Sequence, residues 1–160
     1  MLLLDRLLLI ADLFERDMAR AFAGTPLSSA RMAVLWTVHH SGPLSQQAVA
    51  HALDVSPRNV SALVDALESA GYARRAEHPT DRRAFLIELT ETGTALMETT
   101  AREHEELSDA LLSSVDAADR AALERGLGAI SERLSQLMAA ASDGSASDGS
   151  ASDGSDTDHG

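Results

Sequence analysis

Along most of the chain apolar residues return every three or four positions. Leu3, Leu7, Ile10, Phe14, Met18 and Ala21 make one stripe of a helix of about 20 residues, which Gly24 and Pro26 close. A second helix opens at Ser28 or Ser29 as N-cap, carries Met32, Leu35, Trp36 and His39, and stops at Ser41-Gly42-Pro43. A third follows Ser45, turns Val49, Ala50 and Leu53 inward, and ends at Asp54. Ser56-Pro57 then opens a fourth, because Ser caps well and Pro suits the first helical position. Two helices joined so tightly predict a helix-turn-helix.

The fourth helix turns Val60, Leu63, Val64 and Leu67 toward a core, leaving Arg58, Asn59, Ser61, Ala62 and Asp65 on its other face until Gly71 stops it. Only then does the spacing change. Tyr72 to Glu77 and Ala84 to Leu89 read as two short strands, with His78-Pro79-Thr80-Asp81-Arg82-Arg83 as the turn, which makes a wing. After Thr90 a long helix bears Leu96, Thr100, His104, Leu107, Leu111 and Val115, and Asp116 with Asp119 starts another. The expected fold class is mainly α with a small β-hairpin wing, a winged helix-turn-helix between N- and C-terminal dimerisation helices.

In the last helix Leu123, Leu127, Ile130, Leu134 and Leu137 step by four and three in turn, a heptad seam. Together with Leu3, Leu7 and Ile10 they exceed what the small central module covers. A second copy of the chain is the expected occupant, since most soluble oligomers are twofold dimers. Residues 1–141 are therefore expected to form one domain, with 1–24 and 94–141 as dimerisation helices around a module at 28–93.

Charge sharpens this organisation. The 160 residues hold 13 Arg, no Lys and 25 acids, a net charge of −12. Residues 142–160 repeat Ser-Asp-Gly-Ser-Ala units without a large apolar side chain, so they are expected to be a disordered acidic tail. Without them 20 acids face 13 Arg, for −7. Residues 72–84 reverse the sign, with Arg74, Arg75, Arg82 and Arg83 against Glu77 and Asp81 giving +2. Positive charge is concentrated at the wing.

With zero Cys the chain has no disulfide or thiolate chemistry, which fits a reducing compartment. The Leu-rich start is broken by Asp5, Arg6 and Asp12, and no basic region precedes it, so neither a membrane span nor a signal peptide is expected. A cytoplasmic protein follows. No nucleophile elbow, phosphate loop, metal motif or catalytic carboxylate pair occurs, which argues against an enzyme and against a cofactor.

Duplex DNA fits what remains. A helix narrow enough for the major groove needs small or hydrogen-bonding residues near its start and cations placed for phosphate or minor groove. Ser56 and the first amides of the fourth helix suit a phosphate, Arg58 and Asn59 reach base edges or phosphates, and Ser61 and Ala62 share that surface, Ala62 leaving room for close approach. Arg74 and Arg75 suit phosphates, while Arg82 and Arg83 suit the minor groove from the hairpin tip. Asp65 either accepts from a base or, more commonly, orients an arginine or merely discourages unspecific phosphate binding. A winged-helix interaction module without DNA affinity is the alternative from another class.

Residues 27–140 resemble the multiple-antibiotic-resistance regulator (MarR) family of winged-helix transcription factors. The tract Val55-Ser56-Pro57-Arg58-Asn59-Val60-Ser61-Ala62-Leu63-Val64-Asp65-Ala66-Leu67 carries the resemblance with Gly71-Tyr72-Ala73-Arg74-Arg75. So do Asp81-Arg82-Arg83, Leu86-Ile87-Glu88-Leu89-Thr90 and Gly93. The resemblance implies a ligand-responsive homodimeric repressor on a pseudo-palindromic operator. It implies too that Asp81 positions Arg83 in the minor groove, that the Ser-Pro-started helix reads the major groove, and that the terminal helices dimerise. Absence of Cys sets the chain apart from that family's cysteine-based peroxide sensors.

A small aromatic or anionic effector is the remaining expected partner, with Phe14, Trp36, His39 and His104 as candidate contacts. The plainer reading of Trp36 is a core residue, and of His104 a partly buried, hydrogen-bonded histidine interrupting an apolar stripe. No metal site is expected: His39 and His40 point about 100° apart on a helix, and no Cys assists them.

Overall fold

The structure is a computed structural model that describes residues 2–78, 80–81 and 84–147, with the side chains of 141–147 left aside. Its elements in chain order are α1 (Leu3–Phe22), α2 (Ser29–Ser41), β1 (Leu44–Ser45), α3 (Gln46–Leu53), α4 (Pro57–Ser69), β2 (Ala73–Glu77), β3 (Phe85–Leu89), α5 (Glu91–Leu112) and α6 (Ala117–Ser147). The described residues fall into two compact units, divided between Glu105 and Glu106. The division lies inside α5. Its physical reason is that α5 buries Gly93 and Met97, both near its start.

Capping residues set the helix starts. Ser28, Ser45 and Ser56 each accept the amide three residues on, from Arg31, Ala48 and Asn59 at 3.3, 3.1 and 3.2 Å. Each bond satisfies an amide that the first turn leaves without a helical acceptor. Between α3 and α4 the chain reverses at Asp54, whose φ of 52° is left-handed, and the Val55 amide closes the turn on Ala50 O at 3.0 Å. The second reversal, at Gly71, works the same way: φ is 77° and the Tyr72 amide returns to Leu67 O at 2.9 Å. Both are helix ends sealed by a residue with positive φ.

The sheet has three antiparallel strands in the order β1-β3-β2. In β3 to β2 pairing Arg74 faces Glu88 and Arg75 faces Ile87, while β1 sets Leu44 opposite Ile87. Sequence patterning missed β1, because two residues show no period and Ser45 doubles as a helix cap.

Val34 and Leu35 of α2, Val49 of α3, Val60, Val64 and Leu67 of α4, Ile87 of β3 and Met97 of α5 form the centre of the core. Each such side chain contributes roughly 1.5–3 kcal/mol by leaving water. Thr90 ties the sheet to α5: its amide donates to Tyr72 O at 3.1 Å, its hydroxyl donates to Gly71 O at 2.6 Å, and it accepts from the Gly93 amide at 3.0 Å.

By contrast α1 buries no residue, and Leu3, Ile10 and Phe14 are exposed along it. Leu123, Leu127, Leu134 and Leu137 are likewise exposed on α6, with Ile130 half-buried. The backbone of α6 runs to Ser147, six residues into the segment expected to be unstructured. The alanines at 139–141 are strong helix formers and carry the helix onward. Residues 148–160 lie outside the described residues. No described helix is long and apolar enough to cross a membrane.

Candidate nucleic-acid interface

Burial of Val60, Val64 and Leu67 fixes how α4 is rolled against the core. Arg58, Asn59, Ala62, Asp65 and Ser69 consequently lie on the exposed face, one helical stripe long. The start of that face is anchored twice: Ser56 Oγ takes the Asn59 amide, and Gln46 Nε2 of α3 donates to Pro57 O at 2.7 Å. Gln46 is a functional neighbour the sequence reading missed. A polar residue in the first turn of the preceding helix was its only signal.

The arginines of β2 part company. Arg74, largely exposed, pairs through Nε with Glu88 on the adjacent strand. One residue on, the strand's alternation turns Arg75 to the other face, against α4. There its amide donates to Glu68 Oε1 at 2.7 Å, Nη1 pairs with Glu68 Oε2, and Nη2 reaches Asp65 Oδ1 at 2.7 Å. Nη2 also lies 3.3 Å from Ser61 Oγ and 3.4 Å from Ser61 O. Burial works to lower the Arg75 pKa, but the hydrogen bond to Asp65 and the charges of Glu68 and Asp65 outweigh it, so the net shift is upward. Ser61, expected on the outer surface, is thereby half-buried beneath this guanidinium. Asp65 is thus paired with an arginine.

At the hairpin end, His78 Nδ1 accepts the amides of Thr80 and Asp81 at 3.3 and 3.2 Å, and His78 and Ala84 close the strands by a 3.2 Å backbone bond. Asp81 is exposed there. Arg82 and Arg83, which the sequence singled out for the minor groove, lie outside the described residues. Phe85, just after them, is 54% exposed.

Three of the four residues considered for an effector come together. Trp36 stacks on His104 with ring centroids 5.0 Å apart and planes 26° from parallel, and His39 meets Trp36 edge-on at 5.9 Å. His40, not anticipated, joins at 5.1 Å and hydrogen-bonds Trp36 O through Nδ1 at 3.0 Å. Phe14 is not among these rings. His39 also lines an open cleft of about 300 Å³ with Val38, Gly42, Pro43, Glu88, Leu89 and Thr94. Among the described residues no cluster of three His, Cys, Asp or Glu is arranged to hold a metal.

A helix held outward by a capped tight turn, followed by an antiparallel hairpin on a three-stranded sheet, defines a winged helix-turn-helix protein. Residues 27–85 match the MarR family. The chain is 28% identical over 137 residues to the HTH-type transcriptional regulator PecS of Dickeya dadantii, covering 84% of this chain and 82% of that one. It is 27% identical to the HTH-type regulator YhbI of Bacillus subtilis, covering 62% of this chain and 64% of the relative, just under two thirds. In fold it resembles Streptococcus pneumoniae FabT, solved in complex with DNA, with a TM-score of 0.77, 20% identity, and coverage of 83% of this chain and 95% of that one. The match to the MarR family thus covers residues 27–85, and the relatives named here are transcriptional regulators.

Proposed function

We propose that the chain is a homodimeric, ligand-responsive repressor that binds a pseudo-palindromic operator in double-stranded DNA. The observation that carries this reading is the exposed stripe of α4, where Arg58, Asn59 and Ala62 stand clear on a helix whose opposite face is locked into the core. A helix of that kind enters the major groove by its N-terminal turns, and two of them in a twofold dimer meet half-sites about 10 base pairs apart. Ser56 orders the start of α4, Arg74 is exposed on the edge strand while paired with Glu88, and Asp81, Arg82 and Arg83 supply the minor-groove contact. The DNA complex of FabT supports the geometry at the level of fold.

Residues 1–24 and 94–141 provide the dimer contacts in this reading. The apolar rows Leu3, Leu7 and Ile10, and Leu123, Leu127, Ile130, Leu134 and Leu137, exposed except for half-buried Leu7 and Ile130, support a second copy of the chain as their cover. The ring cluster of Trp36, His39 and His104 supports a flat aromatic or anionic effector, which acts by preferring a dimer with misplaced α4 helices. A coupling of about 1–3 kcal/mol then weakens DNA binding roughly 5- to 150-fold.

The test is selection of bound fragments from the native genome, followed by gel shift. Wild-type protein retards the selected duplex, and the Arg82→Ala/Arg83→Ala variant does not. Equal retardation by both overturns the assignment in favour of an interaction module. Because Trp36 is the single tryptophan, its fluorescence reports directly on aromatic acids added to the same complex.

A further inference from the structure

We propose that Arg75 is a positioning residue that fixes α4 to the hairpin, and not a phosphate contact as its place in a basic segment suggests. This inference rests on the DNA-binding reading above. Its side chain is only 25% exposed, against 68% for Arg74, and its Nη1 and Nη2 both already point at α4. One guanidinium holds two carboxylates and the Ser61 hydroxyl, and the backbone amide of the same residue holds Glu68 as well. The described side-chain hydrogen bonds between β2 and α4 all run through it.

A phosphate could engage this group only by displacing Asp65 and Glu68, whose freed charges would then face the polyanion. The Arg75, Asp65 and Glu68 cluster carries a net charge of −1 while intact, and −2 once the arginine is gone. Arg75 thus serves DNA indirectly in two ways. It sets the angle between the helix meant for one groove and the hairpin meant for the next, and it offsets part of the charge of two acids on α4. A lysine does not substitute, since an ammonium lacks the planar fork that spans two partners.

The distinguishing experiment is a sign test by anisotropy titration of full-length dimer on the selected duplex. Asp65→Asn/Glu68→Gln is measured in the wild-type background and again with Arg75→Gln. A clamp predicts opposite signs: in wild type the double change breaks the clamp and weakens binding about threefold or more, whereas beside Arg75→Gln it removes stranded charges and strengthens binding by a similar factor. Arg75→Lys weakens binding about tenfold while the dependence of log K on log salt keeps its wild-type slope, because no phosphate contact has been lost. Hydrogen exchange supplies a readout independent of DNA: β2 and the last turn of α4 exchange faster in Arg75→Gln, and α2 does not change.

Strengthened binding in both backgrounds, or a slope that flattens by about one for each arginine removed, makes Arg75 a phosphate contact and overturns the inference while the DNA-binding reading stands. A wild-type dimer that binds no duplex removes both.

Discussion

Single atoms decide several positions in this protein. A methyl group on Gly93 would lie 1.9 Å from the Tyr72 carbonyl oxygen and 2.9 Å from its carbon. Backbone on both sides leaves no flexible group to give way, so Gly93→Ala is expected to cost at least about 1–3 kcal/mol. A melting curve should show the midpoint falling by roughly 3–10 °C for a chain of this size, and an unchanged midpoint would show that the joint yields. Arg58 lies at the opposite extreme, exposed at the start of α4. Arg58→Ala should leave the melting curve in place and weaken DNA binding by about 1–3 kcal/mol, read by gel shift.

At the scale of elements, the join of α3 to α4 depends on one left-handed residue that is not glycine. Asp54→Gly should raise stability by up to about 1 kcal/mol, and Asp54→Val should lower it by about 1–2 kcal/mol, both read by urea unfolding. Such joins were legible in the sequence, because Ser28, Ser45, Ser56, Asp54 and Gly71 act on residues within one turn of themselves. The wing was legible for a similar reason: alternation over Phe85 to Leu89 is local. Two things were hidden. The two-residue β1 is defined only by its partner across the sheet, and the fate of Arg75 depends on which face of β2 meets the acids of α4. Net charge over residues 72–84 counts Arg74 and Arg75 alike, although tertiary packing gives them different work.

For the whole molecule the question is how a chain of net charge −12 approaches a polyanion. In the DNA-binding reading Arg58, Arg82 and Arg83 are the contacting cations of each protomer. Two protomers then bring about six contacts, and log K should fall with log salt at a slope near −5. A slope near zero on the selected duplex would contradict the wing assignment. Assembly is tested separately: Leu127→Asp/Leu134→Asp puts charge into the α6 seam and should shift sedimentation toward the monomer, with DNA affinity lost alongside it.

The Tyr72 backbone is shared property. Its carbonyl receives Thr90 and abuts Gly93, and its amide completes the end of α4. Three elements therefore meet at one peptide, with no slack to absorb displacement. A displacement of the opening turns of α5 would therefore press directly on the root of the wing, through one peptide and not through a long relay.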